Sequence, residues 1–134
     1  MWVPKFAIVL GIGLAGVTIT SQGDQFTEQD LARWQDQFQQ VAKKGRELWV
    51  SDSLGSNGLA CAQCHPNAAN THPETYPKFQ KQLGKVAPMW EMVNWCIRNP
   101  LEGEPLDADD PRMAALQAYI VYERRGVPLA PGKH

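Results

Sequence analysis

Two cysteines and a histidine stand together in one pentapeptide, Cys61-Ala62-Gln63-Cys64-His65. On a helical turn the two intervening residues bring both sulfurs to the same side, and the imidazole follows at once. The chain has three cysteines among 134 residues, so Cys96 is left over and needs an account of its own. Three ordinary uses of such a pair can be weighed. A zinc site would draw on Cys61, Cys64, His72 and one further ligand. A thiol–disulfide redox pair calls for β-α-β surroundings. A disulfide between cysteines three apart is strained.

The surroundings of the pentapeptide are helical. Thr27, with Asp30 three residues on, forms a variant of the capping box. Leu31, Trp34, Phe38, Val41, Gly45 and Leu48 follow in steps of three and four, one face of a helix that closes at Trp49 and Val50. Residues 51–59 form a loop, and residues 66–78, with Pro66, Pro73 and Pro77, are irregular. A second helix is expected over residues 88–98. Met89, Met92, Val93 and Cys96 share one of its faces, Trp90 and Ile97 sit to the side, and Asn99-Pro100 ends it. Residues 101–111 form a loop with Glu102, Glu104, Asp107, Asp109 and Asp110 and no base. Asp110 caps a last helix with Pro111 at its first position. Met113, Leu116 and Ile120, with Tyr119 or Val121, form its buried stripe. Arg124 and Arg125 fall in its last turn, and Gly126 stops it. No repeat and no strand-like alternation is visible, so the domain reads as all-α.

The first residues set the compartment. Lys5 is the only charge before Asp24, and residues 6–19 are apolar, Gly or Thr. Such a stretch routes a chain out of the cytoplasm. A cleaved signal peptide has this length, but no small-x-small site follows; the run ends Thr18-Ile19-Thr20-Ser21-Gln22-Gly23. As a helix, residues 2–19 span about 27 Å at about 1.5 Å per residue, close to a hydrocarbon core of about 30 Å. A retained anchor is therefore expected, with Lys5 cytoplasmic and the remainder facing the periplasm. The expected division is residues 1–23 as membrane anchor or signal segment and residues 24–134 as the folded domain.

Export, a His directly after the second Cys and helices on both sides together select one chemistry: C-x-x-C-H is the attachment sequence for a c-type haem. Two thiols reach two vinyl groups on adjacent pyrrole edges, and the next residue places an imidazole under the iron. One covalent haem c is expected, on Cys61 and Cys64, with His65 as the proximal iron ligand. Charge is balanced, with 13 basic and 14 acidic residues, which argues against a nucleic-acid partner.

The stretch Lys44-Gly45-Arg46-Glu47-Leu48-Trp49 resembles class I cytochromes c, in which a Gly and an aromatic on the first helix meet the last helix closely. The resemblance implies a class I cytochrome c fold, three to four helices around one haem, which would follow the N-terminal transmembrane or signal-anchor helix read from the apolar run. It also implies that Gly45 and Trp49 cross near Leu116 and Tyr119.

Electron-transfer haems commonly take two protein ligands. Met89, Met92, Met113, Cys96 and His72 are the candidates for the second. Met89 follows Pro88, and a Met on an apolar face is also ordinary core filler. Cys96 is the only thiol free of the attachment motif, and an idle thiol is a liability in an oxidising compartment.

Residues 90–125 carry a second resemblance. Asn94-Trp95-Cys96, then Glu102-Gly103 with Pro105-Leu106, the acidic cap Asp110, Met113 and Ala115-Leu116-Gln117-Ala118-Tyr119 are similar to the haem domains of thiosulfate dehydrogenases and Sox A-type cytochromes. In those families a cysteine ligates haem, and the matching position is Cys96. The resemblance thus favours Cys96 as distal ligand, with Met89 as the alternative. Those enzymes usually carry two haems, whereas this chain has one attachment motif.

The expected function is that of a membrane-anchored monohaem cytochrome moving electrons on the periplasmic side of the inner membrane. Its partners would be redox proteins, within or beside a membrane complex, and lipid along residues 2–19. The acidic run 102–110 reads as a solvated loop or as a docking patch for a basic partner. Trp2, Gly11, Gly13 and Gly16 would face a neighbouring membrane subunit in a purely structural role. The alternative is a catalytic haem subunit in oxidation of thiosulfate or a related sulfur compound.

Overall fold

The computed structural model describes residues 26–128. The expected anchor, residues 1–23, lies outside the described residues. Four helices and one small ribbon follow in order: α1 (Glu28–Val50), α2 (Cys61–Cys64), β1 (Lys78–Gln80), β2 (Lys85–Ala87), α3 (Met89–Arg98) and α4 (Pro111–Glu123). Among the described residues no helix is long and apolar enough to cross a membrane.

α1 and α4 start where side chains satisfy free backbone N–H groups. Thr27 Oγ1 accepts from Asp30 N at 3.1 Å, and Asp30 Oδ2 accepts from Thr27 N at 3.1 Å, a reciprocal cap. Asp110 Oδ1 accepts from Arg112 N at 2.8 Å, and Pro111 occupies the first turn of α4. Pro88 stands at the N-cap of α3, one residue outside the helix. Arg124 caps the C-terminal end of α4 instead of lying in its last turn, and Gly126 takes φ +67°.

α1 and α4 cross at Gly45. A Cβ there would lie 1.9 Å from the Ala115 carbonyl oxygen and 2.7 Å from Tyr119 Cβ, so the missing side chain is what lets the backbones meet. The Trp49 and Tyr119 rings pack with centroids 5.6 Å apart. Trp49, Leu54, Ile97, Leu101, Leu106, Met113, Leu116, Tyr119 and Ile120 form the core.

The apolar stripe read along α1 is covered only in part. Ala42, Gly45 and Trp49 are buried, while Leu31, Trp34 and Val41 are exposed. Near the end of α4, Phe38 meets Tyr122 with ring centroids 6.4 Å apart and lies 4.4 Å beneath the Arg125 guanidinium. Along α3 the fully buried positions are Asn94 and Ile97, on the side of the helix, while Met89, Met92, Val93 and Cys96 are half-buried.

The described residues are mostly helical, with one small departure from the all-α expectation. β1 and β2 pair antiparallel in register Lys78↔Ala87, Phe79↔Val86 and Gln80↔Lys85. Gly84, at φ +67°, turns the chain between them. Strands of three residues are too short to show a period of two, so alternation gives no warning of them.

Two loops lock the core side of α3. Asn94 Nδ2 donates to the Leu106 carbonyl at 2.7 Å, and Asn94 Oδ1 accepts from Leu106 N at 2.9 Å. Ser56 N donates to the Leu101 carbonyl at 3.0 Å, Ser56 Oγ to Glu102 O at 2.7 Å, and Asn57 Nδ2 to Pro100 O at 2.9 Å. The loop leading into the cysteine motif is thereby clasped to the loop leaving α3.

Candidate haem site

α2 is one turn of helix, and it carries both thiols of the motif. Cys61 is buried and Cys64 exposed. The turn is held at its start by Gln63 Oε1, which accepts from Ala60 N at 2.7 Å, and at its end by His65 N donating to the Cys61 carbonyl at 2.9 Å.

His65 is fixed from two sides. Trp49 Nε1 donates to its carbonyl at 2.9 Å, and its ring Nδ1 lies 2.8 Å from the Ala69 carbonyl oxygen. A carbonyl can only accept, so Nδ1 carries the proton and the lone pair resides on Nε2. That is the tautomer an axial imidazole requires, with the second nitrogen held by a backbone carbonyl. The loop that presents Ala69 is unusual: Asn67, Ala68, Asn70 and His72 all take φ between 48° and 62°. Four left-handed non-glycine residues in so short a loop are costly, and Ala68 is fully buried within it.

Cys96 belongs to the same neighbourhood. Burial, reinforced by repulsion from Cys96, pushes the Cys61 thiol up to about 11. Burial, reinforced by Cys64, pushes Cys96 up to about 11. Of the three thiols Cys61 is buried, Cys96 half-buried and Cys64 exposed. At Tyr76, burial, then Cys96, pushes the phenol up to about 12, and Gln80 Nε2 donates to its hydroxyl at 2.6 Å.

Two of the other ligand candidates share α3 with Cys96. Met89 packs against the core at the start of α3, Met92 is half-buried on the same helix, and Met113 is fully buried in the core. His72 lies 3.4 Å from Glu74. Among the described residues no three or more His, Cys, Asp or Glu side chains are gathered as a small metal ion would need, which leaves the zinc reading without a ligand set.

The donors present fit a porphyrin instead. Two thiols project from one helical turn, one imidazole offers a free Nε2, and the half-buried face of Met89, Met92, Val93 and Cys96 supplies apolar wall and a further sulfur. Sequence reasoning missed the Ala69 carbonyl that holds His65 and the Gln80 that bonds Tyr76, and it named Asn94 only in the family pattern, not as the tie between α3 and Leu106. Only Asn94 left a trace in the sequence, as a lone amide among the apolar residues of α3.

Residues 44–129 match the family described as SoxA/TsdA, cytochrome c domain. A thiosulfate dehydrogenase of Psychrobacter arcticus is 28% identical over 108 residues, 70% of this chain and 33% of that protein. A thiosulfate dehydrogenase of Allochromatium vinosum is 28% identical over 92 residues, 60% of this chain and 34% of that protein. The L-cysteine S-thiosulfotransferase subunit SoxA of Pseudaminobacter salicylatoxidans is 26% identical over 92 residues, 66% of this chain and 32% of that protein. The chain spans about a third of the length of these curated relatives. With the family matched over most of its folded part, this chain is a member of the SoxA/TsdA cytochrome c domain family and carries covalently bound haem c.

Proposed function

We propose that the chain is a single-haem electron-transfer unit in which Cys61 and Cys64 form the thioethers, His65 is the proximal iron ligand and Cys96 the distal one. Residues 2–19 anchor it in the inner membrane, and residues 24–134 face the periplasm. The observation that carries this reading is the His65 ring, held at Nδ1 by the Ala69 carbonyl 2.8 Å away, immediately after two thiols on one helical turn.

The bound haem supplies an iron that takes up and returns one electron. The chain's own residues do the rest. The Ala69 carbonyl holds the imidazole at Nδ1, and Trp49 holds the backbone that carries it. The core around Ile97, Met113 and Leu116 limits water behind it. Cys96, as thiolate, donates electron density and favours the oxidised state, so the potential is low; a thioether from Met89 in that place would raise it. Partners are redox proteins, a donor and an acceptor of the same compartment.

A second reading has support in the names of the relatives, two of which are thiosulfate dehydrogenases. In it the chain is a catalytic haem subunit in oxidation of thiosulfate or a related sulfur compound. Thiosulfate-dependent reduction of an added electron acceptor by the purified holoprotein separates this reading from pure electron transfer.

The test of the ligand set is a redox titration with spectra of the oxidised protein and of the Cys96→Ala and Met89→Ala variants. Cys96→Ala raises the potential and changes the low-spin spectrum, and Met89→Ala leaves both in place. A high positive potential with a Met–iron charge-transfer band, lost in Met89→Ala, would transfer the role to Met89.

A further inference from the structure

The first two turns of α1 extend past the end of α4. Phe38 meets Tyr122 in the last turn of α4 and lies under Arg125, just beyond the end of that helix. Trp34 and Leu31 lie about 6 and 10 Å further along the axis at about 1.5 Å per residue, on the same side of the helix. Leu31 is 54% exposed and Trp34 40%. Phe26, 62% exposed, folds back onto Trp34, with ring centroids 4.9 Å apart and planes at 75°. The opposite side of these turns is polar, with Gln29, Arg33 and Asp36. Apolar side chains of this size are thus aligned on one exposed face, next to a polar one.

The chain before Phe26 says what covers that face. Residues 2–19 are the apolar run, and the link from Ile19 to Phe26 reaches at most about 25 Å at about 3.6 Å per residue. The headgroup zone of a bilayer is itself about 5–7 Å deep on each side. A helix tethered so closely to a membrane segment stays within reach of the lipid surface. Its exposed aromatics are of the type that settles at the boundary between hydrocarbon and water, and its polar and apolar faces are separated as in interfacial helices.

We infer that the N-terminal two turns of α1 lie on the bilayer surface, with Phe26, Leu31 and Trp34 in the headgroup zone and Gln29 and Arg33 turned to water. The inference rests on the anchor reading proposed above. It makes α1 the link between membrane and haem site: its first turns bind lipid and its last turn carries Trp49.

The test uses the full-length holoprotein in vesicles of phosphatidylethanolamine and phosphatidylglycerol. Benzoylphenylalanine is placed singly at Leu31, at Trp34 and at Gln29, which is exposed on the other face of the same turns. Flotation shows whether the chain is membrane-bound, and mass spectrometry after illumination shows what each position touches. Lipid adducts at positions 31 and 34, at least about five-fold above position 29, are expected from an interfacial orientation. Equal labelling at all three positions in floating protein, or adducts joining two chains, overturns the inference while leaving the anchor intact. Protein that fails to float with vesicles overturns the anchor reading and this inference with it.

Discussion

The indole Nε1 of Trp49 donates a 2.9 Å hydrogen bond to the carbonyl oxygen of His65. That bond joins the last turn of α1 to the residue proposed as proximal iron ligand. Because Trp49 also packs on Tyr119, the crossing of α1 and α4 and the orientation of His65 are parts of one arrangement.

Removing the donor while keeping an aromatic ring isolates this link. Trp49→Phe leaves the His65 carbonyl without its partner, at a cost of about 1–3 kcal/mol. Urea denaturation of the holoprotein measures the loss. The paramagnetically shifted NMR signals of the His65 ring are expected to move, since the backbone that carries the ring is less firmly held.

Gly45→Ala sets two effects against each other. Alanine favours helix over glycine by about 1 kcal/mol, but its Cβ would fall 1.9 Å from a backbone oxygen of α4. A carbonyl in a helix cannot step aside as a side chain can, so the overlap wins. A net loss of about 2 kcal/mol or more is expected in thermal or urea denaturation.

Asn94 is buried and satisfies both backbone groups of Leu106. Asn94→Ala strands a donor and an acceptor at once and is expected to destabilise by roughly 3 kcal/mol. Hydrogen exchange at Leu106 N–H is expected to accelerate more than at the amides of α1, a local signature that general loss of stability would not produce.

Tyr76 predicts the alkaline limit. Burial, helped by Cys96, holds its phenol at about 12 against an ordinary 10. The folded state therefore keeps the proton that the unfolded state releases above pH 10. Stability falls as pH rises from about 10 towards 12, because there the unfolded chain binds fewer protons. Tyr76→Phe removes this contribution, and denaturation midpoints measured across that range are expected to decline less steeply in the variant.

The positions of the helices were legible locally. Thr27 with Asp30, Asp110 with Pro111, and Asn99-Pro100 mark ends through contacts between near neighbours, which a linear pattern records. The family was legible in residues 90–125 for the same reason. The β-ribbon was not, since three-residue strands carry no period, and its turn depends on one left-handed glycine at Gly84.

By itself the sequence determined that this chain is a helical haem c domain, because helix periods, caps and a C-x-x-C-H motif all act within a few residues. The tertiary structure decided which apolar residues are covered. The stripe of α1 is continuous in sequence, yet α4 ends beside Phe38 and leaves Leu31 and Trp34 open. It also decided the tautomer of His65 and the clasp of Asn94 on Leu106. Those depend on where particular carbonyls stand in space, and periodicity encodes the facing of a side chain but not the partner that meets it.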